Sequence, residues 1–347
     1  MSPDSLHFLD AVVGLPEQLA SAHEAAGRID TQHFAPAGSI DHIIVLGMGG
    51  SGIAGDVFTT ALNDELPVPA VVLKQYRVPA FVGPRTLAFA VSYSGDTEET
   101  VSMATAAADC GARLVCVSVG GALQTLAEEC GGLHVSCPPG YLPRAALGSL
   151  IAPLFVAAYR SGLAPGAHAQ LVMAQEQLAR RREKCRPEVE AGANPARELA
   201  RLIGRTIPVI YGGGALGGVA AYRWKCDVNE NAKAPAFAHA HPELGHNEIC
   251  AWGQHGDVTR QLITLVQLRH GFEHARLAPR FAAVSDIVDE TVHQVLTVEG
   301  EGEGRLAQLL DLMYLGDFVS TYLALDNDVD PGPIDAIFEL KHRLAEV

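Results

Sequence analysis

The chain has 347 residues, room for about two domains at roughly 150 residues each, and 48% are apolar, enough for sizeable cores. Its 25 Lys and Arg against 40 Asp and Glu give a formal charge of −15, which argues against a nucleic-acid binder yet leaves room for a small anion held by local donors. No apolar run nears the roughly 18 residues of a membrane span, the opening lacks a basic signal region, and seven cysteines without a C-x-x-C pair read as free thiols of a cytoplasmic protein.

In chain order, residues 3–37 predict a helix and a loop. A first strand, Asp41–Leu46, runs straight into Gly47-Met-Gly-Gly-Ser-Gly52. Apolar runs at Ala70–Leu73, Leu87–Ser92, Leu114–Val119 and Leu133–Ser136 predict further strands. Between them lie Ala-rich segments of helical period, Thr97–Cys110 and Ala122–Cys130. Buried strands alternating with helices imply a parallel sheet covered on both faces. Residues 145–202 read as helical, broken near Pro165, Pro187 and Pro195. A second strand–glycine–helix unit follows, Ile207–Tyr211 into Gly212-Gly-Gly-Ala-Leu-Gly-Gly218, with strands expected at Leu262–Leu268 and Val292–Val298 and a helix at Arg305–Leu323. The chain therefore reads as two similar α/β halves: residues 1–155, connecting helices over 156–204, and residues 205–347.

Gly47-x-Gly49-x-x-Gly52 and Gly212-x-Gly214-x-x-Gly217 both match the dinucleotide fingerprint. That fingerprint also wants a carboxylate about 20 residues on, to hold a ribose hydroxyl. Here the next strand ends in Leu73-Lys74-Gln75, which counts against NAD and leaves Lys74 for an NADP phosphate. The plainer reading is that the glycines permit tight turns. The loop Ser92-Tyr-Ser-Gly-Asp-Thr97 is richer. Ser92, Ser94 and Thr97 offer hydroxyls where a strand ends and a helix begins, so helix N–H groups add to a cradle for a monophosphate. The competing reading is an N-cap with Glu98 or Glu99 closing a capping box.

The densest chemistry lies in residues 229–248, with three His, three Glu, three Asn and two Pro. Pro235 and Pro242 prevent one continuous helix, so this is a site element rather than a core element. Glu230 stands between two amides that could orient it as a base, and His246 is a candidate acid/base near neutral pH. His239, His241, His246 and Glu248 have zinc-ligand chemistry but no zincin spacing. The plainer readings are surface or interface histidines at 239 and 241, and buried apolar thiols at Cys226 and Cys250.

The chain resembles the bifunctional phosphoglucose/phosphomannose isomerases, built from two sugar-isomerase (SIS) domains. The resemblance is carried by Gly47–Gly52, Ser92–Thr100, Arg144-Ala-Ala-Leu-Gly148, Asn229-Glu-Asn-Ala-Lys233, Pro242-Glu-Leu-Gly-His-Asn-Glu248 and the tail from Asp330 to Lys341. Asp96 and Gly245 depart from it, each standing where asparagine is more usual. The resemblance implies two doubly wound SIS domains, each a parallel sheet flanked by helices. It implies that Gly50, Ser51, Ser92, Ser94 and Thr97 hold the 6-phosphate, that Glu230 moves the proton between C2 and C1, and that Arg144 stabilises the enediolate. His246 and Lys341 would open the sugar ring. It further implies hexose 6-phosphate substrates, no cofactor or metal, and a homodimer with sites at its interface. The alternative is a non-catalytic SIS sensor, which would need the Ser92–Thr97 loop but not Glu230, His246 or Lys341.

Overall fold

The computed structural model describes residues 3–345. Nine strands, among the described residues, form two parallel sheets. The first holds β1 (His42–Leu46), β2 (Ala70–Leu73), β3 (Thr86–Val91), β4 (Arg113–Ser118) and β5 (Leu133–Ser136) in the order β2-β1-β3-β4-β5. The second holds β6 (Ile207–Gly213), β7 (Phe237–His241), β8 (Ile263–Arg269) and β9 (Gln294–Glu299) in the order β7-β6-β8-β9. The two orders match strand for strand over their shared length, so the repeat expected from the glycine turns holds at the level of topology. Every residue of β3 is buried, as a strand covered by helices on both faces requires.

The chain divides into two compact units. One comprises Gly14–Arg180 with Glu301–Asp311, and contains the first sheet. Its core packs Ile44, Leu46, Ala88 and Ala90 of the central strands against Met103, Ala107 and Leu123. The other joins the residues up to Val13 with Arg181–Gly300 and the chain from Leu312 onward. Its core includes Tyr211, Leu265, Phe281 and Val288.

Strand β7 was not expected. The Ala-His alternation of Phe237–His241 reads as polar, but the prolines bracket a short edge strand instead of merely breaking a helix. Asn229, Glu230 and Asn231 are the last residues of the helix Gly214–Asn231, not part of that extended segment. No helix among the described residues is long and apolar enough to cross a membrane.

Candidate active site

In both sheets the chain leaves the central strand to one side and returns on the other. The carboxyl ends of β1 and β3 therefore border a switch point, the usual ligand crevice of such folds. The turn after β1 enters the helix Gly49–Ala61, whose first turn holds Gly50 and Ser51 and leaves N–H groups free. A Cβ on Gly47 would lie 3.0 Å from the Val91 carbonyl oxygen, so this turn abuts the end of β3.

The hydroxyl loop after β3 folds inward on itself. Ser92 Oγ lies 2.8 Å from Thr97 Oγ1 and 3.5 Å from Ser94 Oγ. The Gly95 N–H donates to Ser92 Oγ (3.2 Å) and the Asp96 N–H to Ser94 Oγ (3.2 Å). Thr97 stands at the N-cap of the helix Glu98–Asp109 but makes no side-chain capping bond. The capping reading thus loses its central contact, and the hydroxyls gather in the loop. Gly95 has φ +84°, and a Cβ there would sit 1.8 Å from the Gly120 carbonyl oxygen. Asp96 turns its carboxylate to the Ala122 N–H (2.8 Å), at the start of the helix Gly121–Cys130. Lys74 is paired with Asp56, whose carboxyl burial pushes up despite that partner.

Tyr93, inside the same loop, is a contributor that the sequence did not flag. Its hydroxyl donates to the Pro138 carbonyl (2.8 Å) and accepts from the Tyr141 N–H (2.9 Å). From Tyr141 the chain turns into the 3₁₀ turn Pro143–Ala145, which carries Arg144, buried with 4% exposure. One phenol thus ties the Arg144 segment to the hydroxyl loop.

In the other unit, Glu230 is partly exposed and lines a cleft of about 620 Å³ with Asn229, Lys233, Asp330, Ile334 and Asp335. Its flanking amides have other work: Asn229 Nδ2 donates to the Ala234 carbonyl (2.9 Å) and Asn231 Nδ2 to Ser320 Oγ (2.9 Å). Lys233, at φ +54°, donates to the Glu230 carbonyl (2.5 Å). One and two turns before Glu230 on the same helix lies a buried ion cluster. Arg223 Nε is 2.8 Å from Asp227 Oδ2, and Arg223 Nη2 is 2.7 Å from Asp317 Oδ1. Burial pushes the Asp227 carboxyl up while Arg223 opposes it; burial also works against the Arg223 charge, but the two aspartates hold it above its usual range.

Lys341 is exposed on the helix Asp335–Ala345, whose first turn lines the Glu230 cleft, but is not itself among the lining residues. His246 is exposed at the end of the 3₁₀ turn Glu243–His246 and does not line that cleft either. The segment after it is anchored by Glu248. That carboxylate accepts from Tyr211 Oη (2.7 Å) and lies 3.3 Å from His239 Nδ1. His241 is no surface residue: it is 1% exposed, packed 4.2 Å from the Phe281 ring, with neither ring nitrogen hydrogen-bonded. Burial, then Arg280, lowers its pKa to about 4. Cys250 is exposed and Cys226 only partly buried, contrary to the expectation of buried thiols; Cys250 sits in the 3₁₀ turn Glu248–Gly253, no residue of which is fully buried.

Comparison with known proteins places these features in a family. A family described as bacterial phospho-glucose isomerase C-terminal SIS domain matches residues 192–344. The chain is 36% identical over 340 residues to a bifunctional phosphoglucose/phosphomannose isomerase of Caldicellulosiruptor bescii, covering 98% of this chain and 99% of that protein. It is 31% identical to the protein of the same name from Aquifex aeolicus, over 87% of this chain and 90% of that one. In fold it resembles the C-terminal domain of glucosamine-fructose-6-phosphate aminotransferase from Francisella tularensis, with TM-score 0.69 and 15% identity over 94% of this chain and 97% of that one. The chain belongs to the bifunctional phosphoglucose/phosphomannose isomerase family of two-SIS-domain proteins.

Proposed function

We propose that the chain interconverts glucose 6-phosphate and mannose 6-phosphate with fructose 6-phosphate, using Glu230 as the base. The observation that carries this reading is the gathering of the Ser92, Ser94 and Thr97 hydroxyls beside the Gly47–Ser51 turn at a switch point. Such a cradle suits a phosphomonoester without a lysine. The activity named for the relatives supports it.

In this mechanism His246 and Lys341 take the anomeric hydroxyl proton and deliver one to the ring oxygen, opening the ring. Glu230 then removes the C2 proton, and the electron pair moves into C1–C2 while the carbonyl oxygen gains charge. Arg144 stabilises that charge. Glu230 returns the proton to C1 while the O2 proton passes to O1, so that O2 becomes the ketone oxygen and O1 the hydroxyl. Glucose and mannose 6-phosphates differ at C2 and share one enediol, so one base serves both.

The reading extends to a cytoplasmic homodimer. The outer edge of β7 borders a groove lined by Phe237, Tyr222 and Trp252, with Phe237 59% and Tyr222 43% exposed. The helix Asp335–Ala345 also exposes Ile337, Phe338, Leu340 and Leu344. Such exposed apolar surfaces suit a second copy.

The test is a coupled assay with each hexose 6-phosphate in the presence of EDTA. Turnover of both substrates, undiminished by the chelator, is the expected result. Loss on chelation that zinc restores would overturn the metal-free mechanism. Phosphosugar binding without any turnover would point to the sensor instead.

A further inference from the structure

The repeat gives the molecule a second switch point, between β6 and β8, and its contents differ from the first. The register makes the comparison exact in residue number. The residue before the glycine turn pairs with Ala90 in the first sheet (Leu46) and with Gln267 in the second (Tyr211), an offset of 267 − 90 = 177 across the facing strand. That offset puts Arg269, Gly271 and His274 where the first half has Ser92, Ser94 and Thr97. The hydroxyls are gone, and Glu273 stands at the counterpart of Asp96.

Glu273 does not reach outward. A Cβ on Gly213, the N-cap of the helix Gly214–Asn231, would lie 2.3 Å from Glu273 Oε1, so the carboxylate rests against the mouth of that helix. Arg269 Nε is 2.9 Å from both carboxylate oxygens and Nη2 is 2.7 Å from Oε2. The His270 N–H donates to Oε1 (3.1 Å), and His270 Nε2 lies 2.8 Å from the Gly213 carbonyl. A helix mouth, a bidentate guanidinium and a backbone N–H are the donors a phosphate would use.

His241 supplies an independent sign. It is the register partner of Gly213, so its side chain emerges on the face against which Glu273 lies. Its ring packs tilted against Phe281, 4.2 Å between centroids, the same ring that the Arg269 guanidinium covers at 4.3 Å. It is 1% exposed with both nitrogens unpartnered. A buried imidazole in that state is costly unless a polar group is there to meet it.

We infer that the second switch point is an anion site for phosphate or a phosphomonoester, kept filled in this chain by its own Glu273 carboxylate. The protein therefore takes up one phosphate per chain although its fold is doubled, and removing the Glu273 side chain opens the second position.

The experiment is equilibrium dialysis with inorganic phosphate, paired with thermal unfolding in phosphate and in chloride. Wild type is expected to bind one equivalent per chain. Glu273→Ala is expected to bind two, and to melt about 2–4 °C higher in saturating phosphate than in chloride, beyond any shift in wild type. Adding Arg269→Ala should abolish that gain. A folded Glu273→Ala protein that gains no phosphate, or a wild type that already binds two, overturns the inference. Should Glu273→Ala fail to fold, Glu273→Ser likewise clears the position with a short polar side chain, and the same extra phosphate shift is expected; its absence is equally fatal. Because the readout is a gain over wild type, it is separate from the Ser92-loop reading. If phosphate binding at that loop is absent, wild type binds none and the variant one.

Discussion

Ser92, Ser94 and Thr97 show what a short sequence interval can reveal. Their hydroxyls lie within six residues, so the loop that gathers them was legible before any tertiary contact was known. Tyr93 was not legible, since its partners Pro138 and Tyr141 are 45 and 48 residues away. The Arg223–Asp317 pair, 94 residues apart, was hidden for the same reason. Local chemistry can be read from a chain, whereas positioning contacts depend on topology. On the proposed reading these hydroxyls hold the phosphate alike in ground and transition states, so the double substitution Ser94→Ala, Thr97→Ala should raise KM and leave kcat nearly unchanged. Steady-state kinetics on glucose 6-phosphate check this, and a collapse of kcat at constant KM would put the phosphate elsewhere.

At the scale of elements, the strands of the first half were readable from unbroken apolar runs. β7 escaped because an edge strand need not be apolar, and Phe237–His241 alternates histidine with alanine. That strand brings His241 into the interior, and with it a pH dependence. In the unfolded chain a histidine titrates near 6.5; here burial first, and Arg280 next, hold it to about 4. As pH falls below about 6.5 the unfolded chain takes up the proton and the native state does not, so stability drains away until about pH 4. The loss amounts to about 3 kcal/mol. His241→Phe cannot take up the proton, so its Tm should fall less than that of wild type between pH 7.5 and 4.5. Identical acid slopes for the two proteins would remove His241 as the cause.

At the scale of the molecule, the doubled topology was foreseeable from two strand–glycine turns, but the side chains that meet at the second switch point were not. Both copies match the same glycine pattern and the hydroxyl loop of the first is legible in the sequence, but only the three-dimensional register sets the Arg269–Glu273 pair at its counterpart in the second. Assembly is tested at this scale too. A homodimer that lends His246 across its interface should complement in trans. When Glu230→Gln and His246→Ala subunits are refolded together, each mixed dimer then carries one doubly damaged site and one intact site, and activity returns. If His246 serves its own chain, every site stays damaged and the mixture remains as inactive as its parents.

The central claim is that Glu230 moves the proton. Glutamine in its place keeps the shape and cannot accept a proton, so the loss must fall on the chemical step. Steady-state kinetics of Glu230→Gln on glucose 6-phosphate measure this most directly. The account predicts that kcat falls by about 10²–10⁴-fold with KM nearly unchanged. Near-wild-type turnover by a correctly folded variant would contradict it.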